Sequence, residues 1–193
     1  MVDERAAVTS GQLSADAFTD LVERYQQLLY AFLRGFVEHG EQARDLTQDT
    51  FAAAWRATQA CVAPFVAEAA EEDRRRWLYR IAYRRAVDLL RRRRLVRWEA
   101  LDPIVETETG DLPPFEDRVI EGEALRAALA ELPSQDVACL LLRVVHGFSA
   151  AEAGEIMGAS AEVITKRLSR ARQRLRAAYL AQNPSSSQER DRC

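Results

Sequence analysis

The stretch that decides the fold reads SAAEAGEIMGASAEVITKRLSRARQRLR, residues 149–176. Two short amphipathic patterns flank a glycine turn, and each landmark has a physical reason. Ser149 and Ser160 each precede a helical pattern, where a hydroxyl can accept from free N–H groups of the first turn. Gly158 suits a left-handed turn residue, and Gly154 is small where two helices are expected to cross closely. Ile164, Leu168, Ala171 and Leu175 recur at helical spacing and form an inward stripe. Glu162, Thr165, Lys166, Ser169, Arg170, Gln173 and Arg174 then face outward. The pattern predicts a helix-turn-helix, whose second helix enters the DNA major groove by its N-terminal part. Arg167, Arg172 and Arg176 suit phosphates, which position a domain without reading sequence. The blander alternative is a helical hairpin with a solvated basic face.

Charge along the chain alternates in four blocks. Residues 1–73 carry 13 acids and 5 bases, whereas 74–98 carry 11 Arg and one Asp. Residues 99–164 carry 14 acids and 3 bases, and 165–193 carry 8 bases and 2 acids. The net charge of −3 therefore hides two basic stripes. Each is the footprint of phosphate binding, and together they predict a grip on nucleic acid at two places. The first stripe, WLYRIAYRRAVDLLRRRRLVRW (77–98), interleaves Trp77, Tyr79 and Tyr83 with Arg80, Arg84, Arg85 and Arg91–Arg94. Aromatics beside a basic groove suit melted strands, on whose bases they stack. The other readings are an ordinary core role for Trp77 and a solvated helix end for Arg91–Arg94, favoured by the dipole. Of 27 bases only Lys166 is lysine. Arg forks fit phosphates and base edges, but a GC-rich genome gives the same bias.

The rest of the chain reads as all-α. Few Gly and Pro favour long helices. Phe18, Leu21, Val22, Tyr25, Leu28, Leu29, Phe32, Leu33 and Phe36 predict one amphipathic helix ending near Gly40. A second runs from about Glu41 to Gln59, with Asp45, Gln48 and Asp49 on its polar side. A break around Pro64 precedes the basic helix, which is expected from about Arg74. Residues 99–117 hold seven acids and no base, the composition of a linker. The expected organisation is two small helical domains, 14–98 and 117–181, joined by an acidic flexible linker, 99–116. Residues 1–13 and 182–193 are expected to be disordered tails.

Four stretches in this order resemble the sigma-70 family of bacterial transcription initiation factors, most closely its extracytoplasmic-function group. They are Tyr30–Phe36, the run Asp45-Leu46-Thr47-Gln48-Asp49-Thr50-Phe51 with Trp55, then Trp77–Arg94, and Leu132-Pro133 through Arg172. The resemblance implies that Asp45, Gln48 and Asp49 dock on the clamp helices of core RNA polymerase. It implies that the basic helix, with Trp77, Arg80, Arg84, Arg85, Asp88 and Arg91, faces promoter DNA at the −10 element and helps melt it. It implies a −35 reader in the C-terminal domain, with Ser149, Ser160, Thr165, Lys166, Arg167 and Arg170 at the DNA. The linker would thread into the polymerase channel or serve as a solvated tether. An anti-sigma partner is a common companion in this family. Two departures stand out. The basic residue opening the recognition helix is displaced by one position, about 100° of turn, and the 57–77 stretch is longer and acidic, with Phe65 the candidate lining of a base pocket.

Other classes fit less well. The rival is a helix-turn-helix regulator acting without polymerase; it predicts palindromic operator binding, but no clear dimerisation heptad is present. Three widely spaced Cys and two His exclude a metal cage and offer no nucleophile–base constellation, so no cofactor, metal, small-molecule substrate or enzymatic activity is expected. Cys61 borders acids, which disfavours redox sensing. No apolar stretch reaches the length of a membrane span and no signal peptide pattern is present, which predicts a cytoplasmic protein without membrane insertion.

Overall fold

The computed structural model describes residues 14–37, 39–60, 70–99 and 124–182, with side chains as far as Arg92 in the third segment. The tails, the acidic 61–69 stretch with Cys61 and Phe65, and the linker from residue 100 lie outside these residues. Every regular element among the described residues is helical, and none is long and apolar enough to cross a membrane.

Helix α1 spans Ala15–Arg34. Ser14 caps it, its Oγ accepting from the Ala17 N–H at 3.2 Å. Leu21, Tyr25, Leu29, Phe32 and Leu33 turn inward. The helix stops at Gly35, short of the Gly40 expected from sequence. The reason is a compact turn: the Phe36 N–H donates to the Leu33 carbonyl at 3.0 Å, and Phe36 and Val37 are buried. Gly40 instead opens α2, Gly40–Gln59. The buried hydroxyls of Thr47 and Thr50 donate to carbonyls one turn back, both at 2.7 Å, so neither is orphaned.

Helix α3 spans Glu71–Glu99, three residues earlier than the expected start. Acids at 71–73 suit the positive end of the helix dipole. Glu71 also ties α3 to α1: it accepts from Arg24 at 2.8 Å, from the Tyr25 hydroxyl at 2.5 Å and from Arg74 at 2.9 Å. Those bonds, Tyr25 first, hold its carboxyl down to about 2.

In the C-terminal half, residues 124–130 form α4. Then come α5 (Ser134–Leu140), a π turn (Leu141–Val145), α6 (Ala150–Met157) and α7 (Ala161–Gln182). Ser149 and Glu152 form a full capping box on α6. Gly158 closes α6 at φ +69°, the left-handed turn read from sequence. Gly154 is needed for a different reason than a helix crossing. A Cβ there would meet the Ala159 carbonyl oxygen at 2.5 Å, because the turn folds back and the Ala159 N–H donates to the Gly154 carbonyl.

The two halves share one core. Helix α3 packs on α1 and α2 and also on α6, and a single apolar cluster runs through both halves. Two small helical domains joined by an acidic flexible linker are the expectation from sequence, and in the structure the two halves also pack directly on each other. The π turn supplies the missing contact: the His146 N–H reaches the Leu141 carbonyl at 2.9 Å, and His146 and Phe148 land on α3. Tyr79 Oη and His146 Nδ1 share a hydrogen bond of 2.9 Å. The Tyr79 ring lies 5.0 Å from the His146 ring, 4.9 Å from Phe148 and 5.2 Å from Phe32 of α1. Arg75 donates to the His146 carbonyl and lies 4.2 Å over the Phe148 ring. Arg76 pairs with Glu152 at 3.5 Å and with Glu155 at 3.3 Å.

Two outcomes follow. Burial, and then the nearby Arg75, push His146 down to about 4 from its ordinary 6.5. The unfolded chain therefore binds the extra proton in that window, and stability falls as pH drops from about 6.5 to 4, by about 2 kcal/mol. H146Q is expected to flatten that part of the urea-denaturation profile; an unchanged slope would refute the assignment. G154A is expected to cost about 1–3 kcal/mol, because backbone must shift to admit the methyl. Its thermal midpoint checks this, and a wild-type value would mean the turn relaxes freely.

Candidate nucleic-acid interface

Helix periodicity sorts the side chains of α3 into two sets. Leu78, Tyr79, Ala82, Tyr83 and Ala86 are buried. Arg84, Asp88, Arg91 and Arg92 are exposed, and Arg80 and Arg85 are half-buried. Positions 80, 84, 88 and 91 follow one another at helical spacing, so three guanidiniums and one carboxylate line one outer ridge. Trp77 lies on the same side, one turn before Arg80, but its indole is 7% exposed and belongs to the core in this conformation. Tyr79 and Tyr83 are also buried. The aromatics read from sequence as a stacking platform thus hold α3 between its neighbours.

On α7, the residues expected outward from the stripe, Glu162, Thr165, Lys166, Ser169, Arg170, Gln173 and Arg174, are all exposed. Ser160 caps the helix, its Oγ accepting from the Val163 N–H at 3.3 Å. Thr165 donates back to the Ala161 carbonyl at 2.9 Å, and Lys166 reaches Glu162 at 2.5 Å. An exposed pair of this kind is worth little and exchanges readily for a phosphate. This face of α7 is therefore ordered and open to solvent.

Arg167 stands apart from that face. It donates to Gln135 Oε1 at 2.5 Å and lies 3.6 Å from Asp136. Arg174 closes on the same Asp136 at 2.5 Å. Asp136 is 3% exposed and sits in the first turn of α5, so its charge is held by two guanidiniums and by the helix dipole. Sequence reasoning missed it. The available signal was an acid in the first turn after Pro133, within the same half as an Arg-rich helix. In this conformation Arg167 anchors α7 to α5, whereas the sequence assigned it to phosphate.

On α2, Asp45, Gln48 and Asp49 are exposed together with Ala52 and Arg56, one turn apart. This strip is separate from the α3 ridge in sequence and carries two acids, the opposite sign. Ser149 is exposed, but its backbone N–H and hydroxyl are both engaged by Glu152, at 2.7 and 3.2 Å. The Cys139 thiol is buried against the Ile164 carbonyl, and burial raises its pKa, so it is a poor nucleophile. Among the described residues no group of three or more His, Cys, Asp or Glu is placed to hold a metal ion. The arrangement offers two outward cationic helices, one in each half.

Comparison with known proteins agrees with this geometry. Residues 21–96 match the family described as Sigma-70 region 2, and residues 122–175 match Sigma-70, region 4. The chain is 33% identical over 184 residues to the RNA polymerase sigma factor NccH of Alcaligenes xylosoxydans xylosoxydans, covering 91% of this chain and 94% of that one. It is 31% identical over 187 residues to the ECF RNA polymerase sigma factor SigE of Mycolicibacterium smegmatis, covering 93% and 67%. Among solved structures, CnrH in complex with the cytosolic domain of CnrY aligns with a TM-score of 0.58 at 29% identity, over 87% and 90% of the two chains. The sigma factor RpoE of Bartonella quintana, solved with the anti-sigma factor NepR, shares the fold with a TM-score of 0.68 at 23% identity, over 85% and 97%. With both regions matched in order, on the two halves that carry the basic helices, the chain belongs to the sigma-70 family of RNA polymerase sigma factors, in its extracytoplasmic-function group.

Proposed function

We propose that this protein is a cytoplasmic, non-catalytic initiation factor that binds core RNA polymerase and directs it to promoters carrying −10 and −35 elements. The observation that carries the reading is the pair of outward cationic helices, one in each matched region. The ridge of Arg80, Arg84, Asp88 and Arg91, with Arg85 beside it, would face the −10 element. Arg is suited to gripping the backbone of a strand as it melts, and the cation count sets a steep salt dependence. Thr165, Lys166 and Arg170 would enter the −35 major groove from the first three turns of α7, with Ser149 and Ser160 at the flanking phosphates. Arg167 would hold α7 at its angle through Asp136. The acidic strip Asp45, Gln48 and Asp49 would dock on polymerase, since it is exposed and its acids would repel phosphate. By analogy with RpoE, an anti-sigma factor would be a further partner.

Run-off transcription with purified core polymerase tests this. Defined transcripts are expected only when the protein is present. D45R/D49R is expected to abolish them while leaving the fold intact. K166A/R170A is expected to weaken −35-dependent output by about tenfold or more and to lower the salt slope of DNA binding by about one to two. Specific operator binding by the protein alone, with no transcript in the presence of polymerase, would instead establish a stand-alone regulator.

A further inference from the structure

Helix α7 carries six cations, Lys166, Arg167, Arg170, Arg172, Arg174 and Arg176. A cation on a phosphate strengthens binding to every duplex alike and carries no sequence information. A helix that reads bases therefore gains selectivity when some of its cations are kept from phosphate. The structure shows which of the six are kept back.

Arg167 and Arg174 are seven residues apart, about two turns, and both reach α5. Arg167 lies 3.6 Å from Asp136 and donates to Gln135 Oε1, and Arg174 lies 2.5 Å from Asp136. The Arg174 side chain is 54% exposed, so exposure alone would count it among the cations open to DNA. The Asp136 side chain, however, is only 5% exposed. A phosphate that drew off either guanidinium would leave a buried carboxylate short of a partner, which costs far more than opening an exposed pair. Lys166 is the contrast on the same helix. Its partner Glu162 is 76% exposed, and that pair opens at little cost. Arg170 is exposed and has no carboxylate partner among the described residues. One buried acid thus sorts the cations of α7: Lys166 and Arg170 are available to DNA, whereas Arg167 and Arg174 are not. Because it holds α7 at two points two turns apart, the same acid also fixes the rotation of the helix against α5.

We propose that Asp136 is a positioning residue that sets sequence selectivity: by clamping Arg167 and Arg174 it orients α7 and withholds two cations from phosphate, so that binding depends on the base-contacting side chains. The effect on the −35 element rests on the promoter-binding reading above. The withholding of the two cations applies to any duplex.

Salt titrations of DNA binding by the full chain test both parts. One short duplex carries the −35 segment of a promoter used in run-off transcription, and a second has that segment scrambled. On the scrambled duplex, R174Q is expected to keep the wild-type salt slope, whereas R170Q, the same charge change one turn away, lowers it by about one. D136N is expected to steepen the slope by about one to two. E131Q removes an exposed acid of the same half and is expected to leave the slope unchanged, as is D136E, which keeps the carboxylate. The preference for the −35 duplex is expected to fall about five- to tenfold in D136N, the scale of one lost base contact. Equal slopes in R174Q and R170Q would overturn the clamp, and this comparison does not depend on D136N folding. Weaker binding of D136N to both duplexes without a steeper slope would reduce Asp136 to a stabilising residue. A steeper slope with unchanged preference would refute the role in selectivity. Failure of the −35 reading would show separately, as wild-type protein that binds both duplexes equally, while the two arginine variants still decide the clamp.

Discussion

Tyr79 has no exposed surface, and the way it is buried organises the molecule. Its ring sits between Phe32 of the N-terminal half and His146 and Phe148 of the C-terminal half. A tyrosine buries its hydroxyl only where a partner receives it, and here the partner is a histidine 67 residues away in sequence. That requirement fixes the rotation of α3 about its axis. With Tyr79 inward, Tyr83 and Ala86 follow it inward, and Arg80, Arg84, Asp88 and Arg91 are turned out. The same constraint places the two Sigma-70 regions against each other and directs the cationic ridge to solvent.

The alternating charge blocks take on a second meaning in the fold. Arg76, from the first basic block, meets Glu152 and Glu155 from the second acidic block. Arg167 and Arg174, from the last basic block, meet Asp136 from that same acidic block. Part of the segregated charge is therefore internal complementarity, used to dock one half on the other and α7 on α5. The remainder, on the α3 ridge and on Lys166 and Arg170, is left for phosphates. Internal pairs and outward cations come from the same helices one to four residues apart, so substitutions at neighbouring arginines differ in consequence: one loosens the fold, the next removes an outward charge.

Much of this was legible in the residues. The caps Ser149 and Ser160, the left-handed Gly158 and the stripe Ile164–Leu168–Ala171 are local signals with local causes. The α1 stripe from Leu21 to Leu33 is equally plain, since helical periodicity needs no knowledge of what it packs against. What escaped was non-local. The π turn at Leu141–Val145 looks like continued helix in sequence, and nothing near His146 announces a tyrosine partner. Asp136 reads as one more acid in an acidic block until α7 brings two arginines to it. Trp77 and the two tyrosines fit a stacking surface by composition, yet a side chain on a helix faces whatever its neighbours bury, and α3 has neighbours on two sides. Gly154 was recognised as a tight spot, but the crowding atom is a carbonyl of the turn, which only the folded backbone reveals.

The central claim is that α3 joins both halves into one core in the free protein. Small-angle X-ray scattering of the free chain tests it most directly. A compact body of the size of the described residues has a radius of gyration of about 14 Å, and the account predicts a single-peaked distance distribution. A two-lobed distribution with a radius well above 25 Å would show halves that stand apart, and would contradict it.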